Sequence, residues 1–258
     1  MEDDNLIMQT YVKTEFIANT RYNDVISHDI YEKGSGAVIV LIQELPGIGK
    51  STLRLADKLV SRGFKVVLPH LFGPLGSISI FGNTARLFCM RKEFQLFKRG
   101  RMSPVVDWLA ALCRHVKEVN RVEGVGVIGM CLTGNFAISL MADDSVLAAV
   151  ASQPSLPAFN NNSFQMDRSD IDKIKAKIDK SHPVQALRFA KDPMCSAKRF
   201  KALDQLLNEP NKQRVEFTEL PGLGHSVLAL NFVDKAGHPT NLALEKVIHY
   251  FKSQLYAS

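Results

Sequence analysis

Residues 125–136 read V-G-V-I-G-M-C-L-T-G-N-F: a short apolar run, a turn between glycines, and the start of a second apolar segment. Val125, Val127 and Ile128 suit a buried strand, and the segment beyond the turn predicts a helix opening near Leu132. Cys131 then falls on the corner, at the carboxyl end of a parallel strand with the positive end of a helix dipole beneath it. A nucleophile belongs at such a corner. Of Gly129 and Gly134, one lets the backbone turn tightly and the other lets strand and helix pack closely. The pattern G-x-C-x-T-G is a cysteine form of the nucleophile elbow, with Thr133 where an inner glycine is usual.

The rest of the chain supplies the frame for such a corner. Residues 37–42 are a near-continuous apolar run, as required of a strand covered on both faces. A loop, Q-E-L-P-G-I-G-K-S-T, leads to a helix over 51–62 with Thr52, Leu55, Ala56, Leu59 and Val60 on one face, and Gly63 ends it. A strand over 64–68 completes a βαβ unit, so the sheet is at least partly parallel. Ser103 and Pro104 open a helix with Val105, Trp108, Leu109, Leu112 and Val116 on its apolar face. Further strands are expected over 25–32 upstream and over 146–151, 185–190 and 215–220 downstream, and a helix over 239–255 closes the chain.

The expected fold is therefore α/β, a mostly parallel central sheet with helices on both faces, in one domain over residues 1–258. Residues 1–22 carry little periodicity and are expected to form a loose N-terminal arm or an extended edge. Residues 154–182 form a polar insertion expected to cover part of the site, with a surface helix over 167–180 that turns Ile171, Ile174 and Ile178 inward.

Charge and cysteine usage narrow the function classes. The formal net charge of +6 is spread along the chain among Asp and Glu, with no basic tail, which argues against a nucleic-acid partner. The one basic concentration, residues 86–101, reads first as a solvated helical face. Its alternative use is attraction of an anionic substrate by Arg86 or Arg91. Cys89, Cys113, Cys131 and Cys195 lack the paired spacing of a zinc site or disulfide scaffold, and the acidic start is unlike a signal peptide. No apolar run approaches the length of a membrane span. The expectation is a cytoplasmic protein with reduced thiols, no metal or organic cofactor, and a small-molecule substrate.

Three residues occupy equivalent places. Cys131, Asp192 and His225 each lie just past a successive predicted strand, where open α/β sheets put their sites. Cysteine supplies a soft nucleophile, histidine a base near neutral pH, and the carboxylate fixes the imidazole tautomer. Their order along the chain is that of the α/β-hydrolase fold. Here the sequence resembles the dienelactone hydrolase family, over roughly residues 30–255. The resemblance rests on V-L-I-Q-E-L-P-G-I, G-F-K-V-V-L-P-H-L-F, G-V-G-V-I-G-M-C-L-T-G, R-F-A-K-D-P and L-G-H-S, in that order and at the proper strand ends.

The resemblance implies hydrolysis of a small carboxylic ester or lactone through a thioester, with Cys131 as nucleophile, His225 as general base and Asp192 as its orienting acid. It implies that Glu44 contacts the resting thiol and helps to activate it. It also implies an oxyanion hole made by the backbone N–H groups of Leu132 and Leu45. Members that accept dienelactone carry an arginine shortly after the histidine, whereas here Ser226, Val227, Leu228 and Ala229 come next, so an apolar acyl pocket competes with an anion site. Thr133 either tightens the elbow or lines the pocket. A noncatalytic or redox-responsive binding protein on the same fold is the alternative reading. The segment G-I-G-K-S-T also resembles a phosphate-binding loop, but that motif needs glycine where Glu44 stands, and a carboxylate there repels phosphate.

Overall fold

The computed structural model describes residues 8–21, 23–73, 75, 103–155, 166 and 168–256. Among them run eight strands: β1 (Val12–Asn19), β2 (Val25–Lys33), β3 (Ala37–Ile42), β4 (Phe64–Pro69), β5 (Val125–Met130), β6 (Val146–Ser152), β7 (Val184–Phe189) and β8 (Val215–Leu220). The helices are α1 (Lys50–Ser61), α2 (Pro104–Asn120), α3 (Gly134–Leu140), α4 (Arg168–Ile178), α5 (Ala197–Leu207) and α6 (Pro239–Leu255). The strands form one sheet in the order β1-β2-β4-β3-β5-β6-β7-β8. Pairing is antiparallel at β1·β2 and β2·β4 and parallel from β4 through β8.

The strand β3 shows why its sequence is apolar throughout. Val38, Val40 and Ile42 enter one core with Trp108 and Leu112 of α2, Phe136 of α3, Ile174 of α4 and Leu203 of α5. Ala37, Ile39 and Leu41 enter the other with Leu55 and Leu59 of α1 and Leu244 and Phe251 of α6. Successive side chains point to opposite faces, and both faces are roofed by helices, so no position is left for a polar residue. Four helices therefore cover one face and two the other. The parallel strands all deliver their carboxyl ends to one rim.

Of the two readings for the N-terminal residues, a loose arm or an extended edge, residues 12–19 take the second: they are the edge strand β1, paired along its whole length with β2. Its pattern V-K-T-E-F-I-A-N is mostly solvent-facing and so lacks an apolar stripe. Phe16 docks it, its ring 5.5 Å from that of Trp108, whose indole N–H donates to Phe16 O at 3.3 Å. At the elbow, a 3-10 turn over Cys131–Thr133 precedes α3. Within the 154–182 insertion, α4 buries Ile174 and Ile178 but also Asp170, which pairs with Arg21 at 3.7 Å. No helix among the described residues is long and apolar enough to cross a membrane.

Candidate active site

At the end of β5 the backbone of Cys131 takes φ 57, the left-handed region that L residues enter at a cost of about 1–2 kcal/mol. The turn leaves the side chain half-buried, its sulfur 3.2 Å from the hydroxyl oxygen of Ser155. The flanking glycines meet steric limits. A Cβ on Gly129 would sit 2.1 Å from Thr133 O, and one on Gly134 would sit 3.0 Å from Pro154 Cα. Thr133 is fully buried and stitches the elbow to β3: its hydroxyl accepts the Met130 N–H at 2.9 Å and lies 3.0 Å from Gln43 O, to which it donates. The threonine tightens the elbow and takes no part in lining a pocket.

Asp192 and His225 arrive from β7 and β8. The tight turn after β7 lets Asp192 Oδ1 accept the N–H groups of Met194 and Cys195, at 2.8 and 2.9 Å. Arg188, buried in β7, braces this turn from below through the carbonyls of Phe189 and Cys195, at 3.0 and 3.2 Å. His225 Nδ1 stands 3.0 and 2.9 Å from the two carboxylate oxygens of Asp192. With Nδ1 donating there, the proton-accepting face is Nε2, which is buried and has no hydrogen-bond partner among the described residues. Burial alone lowers the imidazole pKa, but the Asp192 hydrogen bond and the nearby Cys131 sulfur outweigh it and raise the pKa to about 10. The loop after β8 is held by Asn231, whose side-chain oxygen accepts the N–H groups of His225 and Ser226, each at 3.0 Å.

Glu44 leaves the end of β3 and turns beneath this loop, 7% exposed. Its Oε1 accepts the Ser226 hydroxyl at 2.5 Å and its Oε2 the Gln153 amide at 3.0 Å. Burial pushes the carboxyl up from its usual range, opposed by the Ser226 hydrogen bond, the charge of His225 and the Gln153 hydrogen bond. Among the described residues the hydrogen bonds of Glu44 run to Ser226 and Gln153 and not to the resting thiol; the sulfur lies beside the Ser155 hydroxyl and acts on His225. Five strands thus send Glu44, Cys131, Gln153, Asp192 and His225 to one rim.

Residues 30–255 match the model of the dienelactone hydrolase family. The chain belongs to this family. A segment of 111 residues is 31% identical to a carboxymethylenebutenolidase of Rhodococcus opacus, a match spanning 43% of this chain and 40% of that relative. Among solved structures, a candidate dienelactone hydrolase from Klebsiella pneumoniae subsp. pneumoniae superposes with a TM-score of 0.63 at 17% identity, over 93% of this chain and 98% of the other. A cold-adapted esterase from an Arctic intertidal metagenomic library gives 0.58 at 15% identity, over 96% and 95%. At these identities the superpositions speak for the fold.

Within this member of the family, the remaining sequence candidates divide. Leu132 lies in the first turn after β5, where N–H groups have no intrahelical acceptor, and Leu45 comes directly after Glu44. Arg86 and Arg91, and Cys89, lie outside the described residues. Cys113 and Cys195 are buried, and burial drives both thiols far above their usual pKa, as befits packing residues. No group of three or more metal-ligating side chains forms among the described residues. The sequence reading missed Gln153, Ser155 and Asn231. The only signal for the first two was S-Q-P-S after an apolar strand, which looked like the start of a polar insertion.

Proposed function

We propose that this member of the dienelactone hydrolase family hydrolyses a small carboxylic ester or lactone through a thioester on Cys131. The observation that carries the reading is the Asp192–His225 pair, whose free Nε2 is electrostatically coupled to a sulfur held at φ 57 on a strand-to-helix corner. Against the lowering effect of burial, the Asp192 hydrogen bond and the Cys131 sulfur raise the imidazole pKa to about 10, so the ring carries a proton next to the sulfur. Family membership and the partial likeness to a carboxymethylenebutenolidase support the ester or lactone class.

In the reaction, the Cys131 thiolate attacks the substrate carbonyl, forming a C–S bond and an oxyanion aimed at the N–H groups of Leu132 and Leu45. Collapse breaks the C–O bond, and the His225 imidazolium gives its proton to the departing alkoxide; in a lactone that alcohol stays tethered to the acyl group. The thioester carries no charge on sulfur, so His225 loses one of the influences that keep it protonated and can act as base. It takes a proton from water as the water attacks the thioester. The acid departs, and the thiolate–imidazolium pair is restored. The reading includes a cytoplasmic setting, which keeps the thiol reduced, and no nucleic-acid partner.

Replacing Cys131 by Ala tests this directly. Hydrolysis of p-nitrophenyl acetate should fall to the buffer rate, and equal turnover by wild type and variant would refute the assignment. Slow, uniform labelling of all thiols by iodoacetamide, with no esterase activity, would favour a noncatalytic binding protein. A screen across lactones and short-chain esters then defines the acyl group.

A further inference from the structure

Gln153, just past β6, has no part in the reaction outlined above, yet it is fully buried beside the site. Its backbone stands at φ 38, a conformation that a non-glycine residue keeps only when its surroundings over-determine it. Its N–H donates to Leu187 O of β7 at 2.6 Å. The polarity of its side chain is fixed by what surrounds it. The Val227 N–H, 3.2 Å from Oε1, can only donate, and the Ser152 hydroxyl also reaches Oε1. The amide oxygen must therefore face Val227, and the NH2 group must face the other way. There it meets Glu44 Oε2.

The other oxygen of Glu44 is met in the same sense. Ser226 Oγ accepts the Leu230 N–H at 2.8 Å, and its hydroxyl is placed to donate to Glu44 Oε1. Both carboxyl oxygens thus face donors, and the direction of the Gln153 donor is set elsewhere. That arrangement suits an anion: Oε2 meets an NH2 group that can accept no proton, and a proton on Oε1 would require the Ser226 hydroxyl to turn away.

We propose that Gln153 is a positioning residue that keeps the buried Glu44 ionised against the loop carrying His225. Through Val227 the same side chain ties that loop to β6, and through its own N–H it ties β6 to β7, which carries Asp192. Among the described residues, the charged group acting on Glu44 is His225, whose cation favours the Glu44 anion; Asp192 and Cys131 act in turn on His225. The consequence for catalysis rests on the proposed roles of Cys131 and His225, whereas the ionisation of Glu44 does not.

The test reads both. With carboxyl-13C glutamate incorporated, the Glu44 resonance is assigned by its loss in Glu44→Gln and titrated in the full-length protein without substrate. Gln153→Leu removes one donor, so the Glu44 midpoint should rise by about one pH unit, a tenfold tighter proton. The acid limb of kcat/KM should rise with it. Gln153→Met, unbranched and equally without a donor, serves if the leucine variant does not fold, and Ser226→Ala should move the midpoint in the same direction. An unmoved Glu44 midpoint, or a rate loss equal at every pH with the acid limb in place, would overturn the proposal. Failure of the Cys131→Ala test would not move the carboxyl titration, so the two readings fail separately.

Discussion

Asp192 holds His225 through both carboxylate oxygens, and Oδ1 also accepts the Met194 and Cys195 N–H groups. The carboxylate is thus fixed by its own turn before the imidazole reaches it, and Nε2 is the ring atom left for chemistry. The side chain of Asp192 is wholly buried and that of His225 is 14% exposed, so water screens this pair weakly.

The imidazole should titrate near pH 10, monitored by 15N NMR of the ring nitrogens. Asp192→Asn removes the charge and swaps an acceptor for an amide, so the midpoint should fall by two pH units or more. kcat should fall by about 10³–10⁴-fold, as expected when a base loses its tautomer-fixing partner. The same shift makes stability depend on pH. A histidine pKa raised by folding stabilises the wild type fully below about pH 6.5, and that contribution is lost as pH rises toward 10. The Asn variant should therefore lose less stability over that interval in urea titrations.

Thr133→Val keeps shape and removes the hydroxyl. The Met130 N–H loses its acceptor and Gln43 O a donor, both in the dry interior between β3 and β5. A loss of about 1–3 kcal/mol in unfolding free energy is expected. Thr133→Ser should recover most of it, because the hydroxyl can reach the same partners. Equal stability of the Val and Ser variants would mean that the hydroxyl does not tie elbow to strand.

The parts of this architecture that were legible in the sequence are those whose cause is local. Apolar runs bounded by glycine and proline marked the strand ends, and so placed Cys131, Asp192 and His225 on one rim. The sequence left residues 12–19 undecided between arm and edge because only Phe16 and its neighbours touch the core while Val12 and Ile17 face water. The partners of Thr133 and Glu44 were illegible for another reason. Thr133 bonds to Ile42 and Gln43 some 90 positions away, and Glu44 to Ser226 across 182. Local pattern carries no trace of such partners, and a buried polar residue at a strand end looks like the first residue of a loop.

Asn231 offers a way to loosen His225 without touching the reacting groups. Its side-chain oxygen accepts the N–H groups of both His225 and Ser226, and its own N–H donates to Ser226 O at 2.9 Å. Asn231→Ala leaves two N–H groups without that acceptor and should lower kcat by about 10–100-fold through a misplaced imidazole. Asn231→Asp keeps an acceptor at the same place and should stay within about tenfold of wild type. Identical kinetics for the Ala variant and wild type would show that the loop holds His225 without this side chain.

The backbone at Cys131 makes a last prediction, about what the elbow stores. At φ 57 a Cβ crowds the neighbouring carbonyl, and glycine is free of that conflict. Cys131→Ala and Cys131→Gly both remove the sulfur and its contact with Ser155, so they differ mainly in the Cβ. At an ordinary helical or extended position the glycine variant would be the less stable, because its unfolded chain has more freedom to lose. At a left-handed position relief of strain opposes that entropy. Cys131→Gly should therefore exceed Cys131→Ala by about 1 kcal/mol in unfolding free energy, read from denaturant midpoints at equal m-values. If the alanine variant were the more stable, the corner would hold no strain. The partial exposure of Cys131 would then have to come from the packing around Gly129 and Gly134 alone.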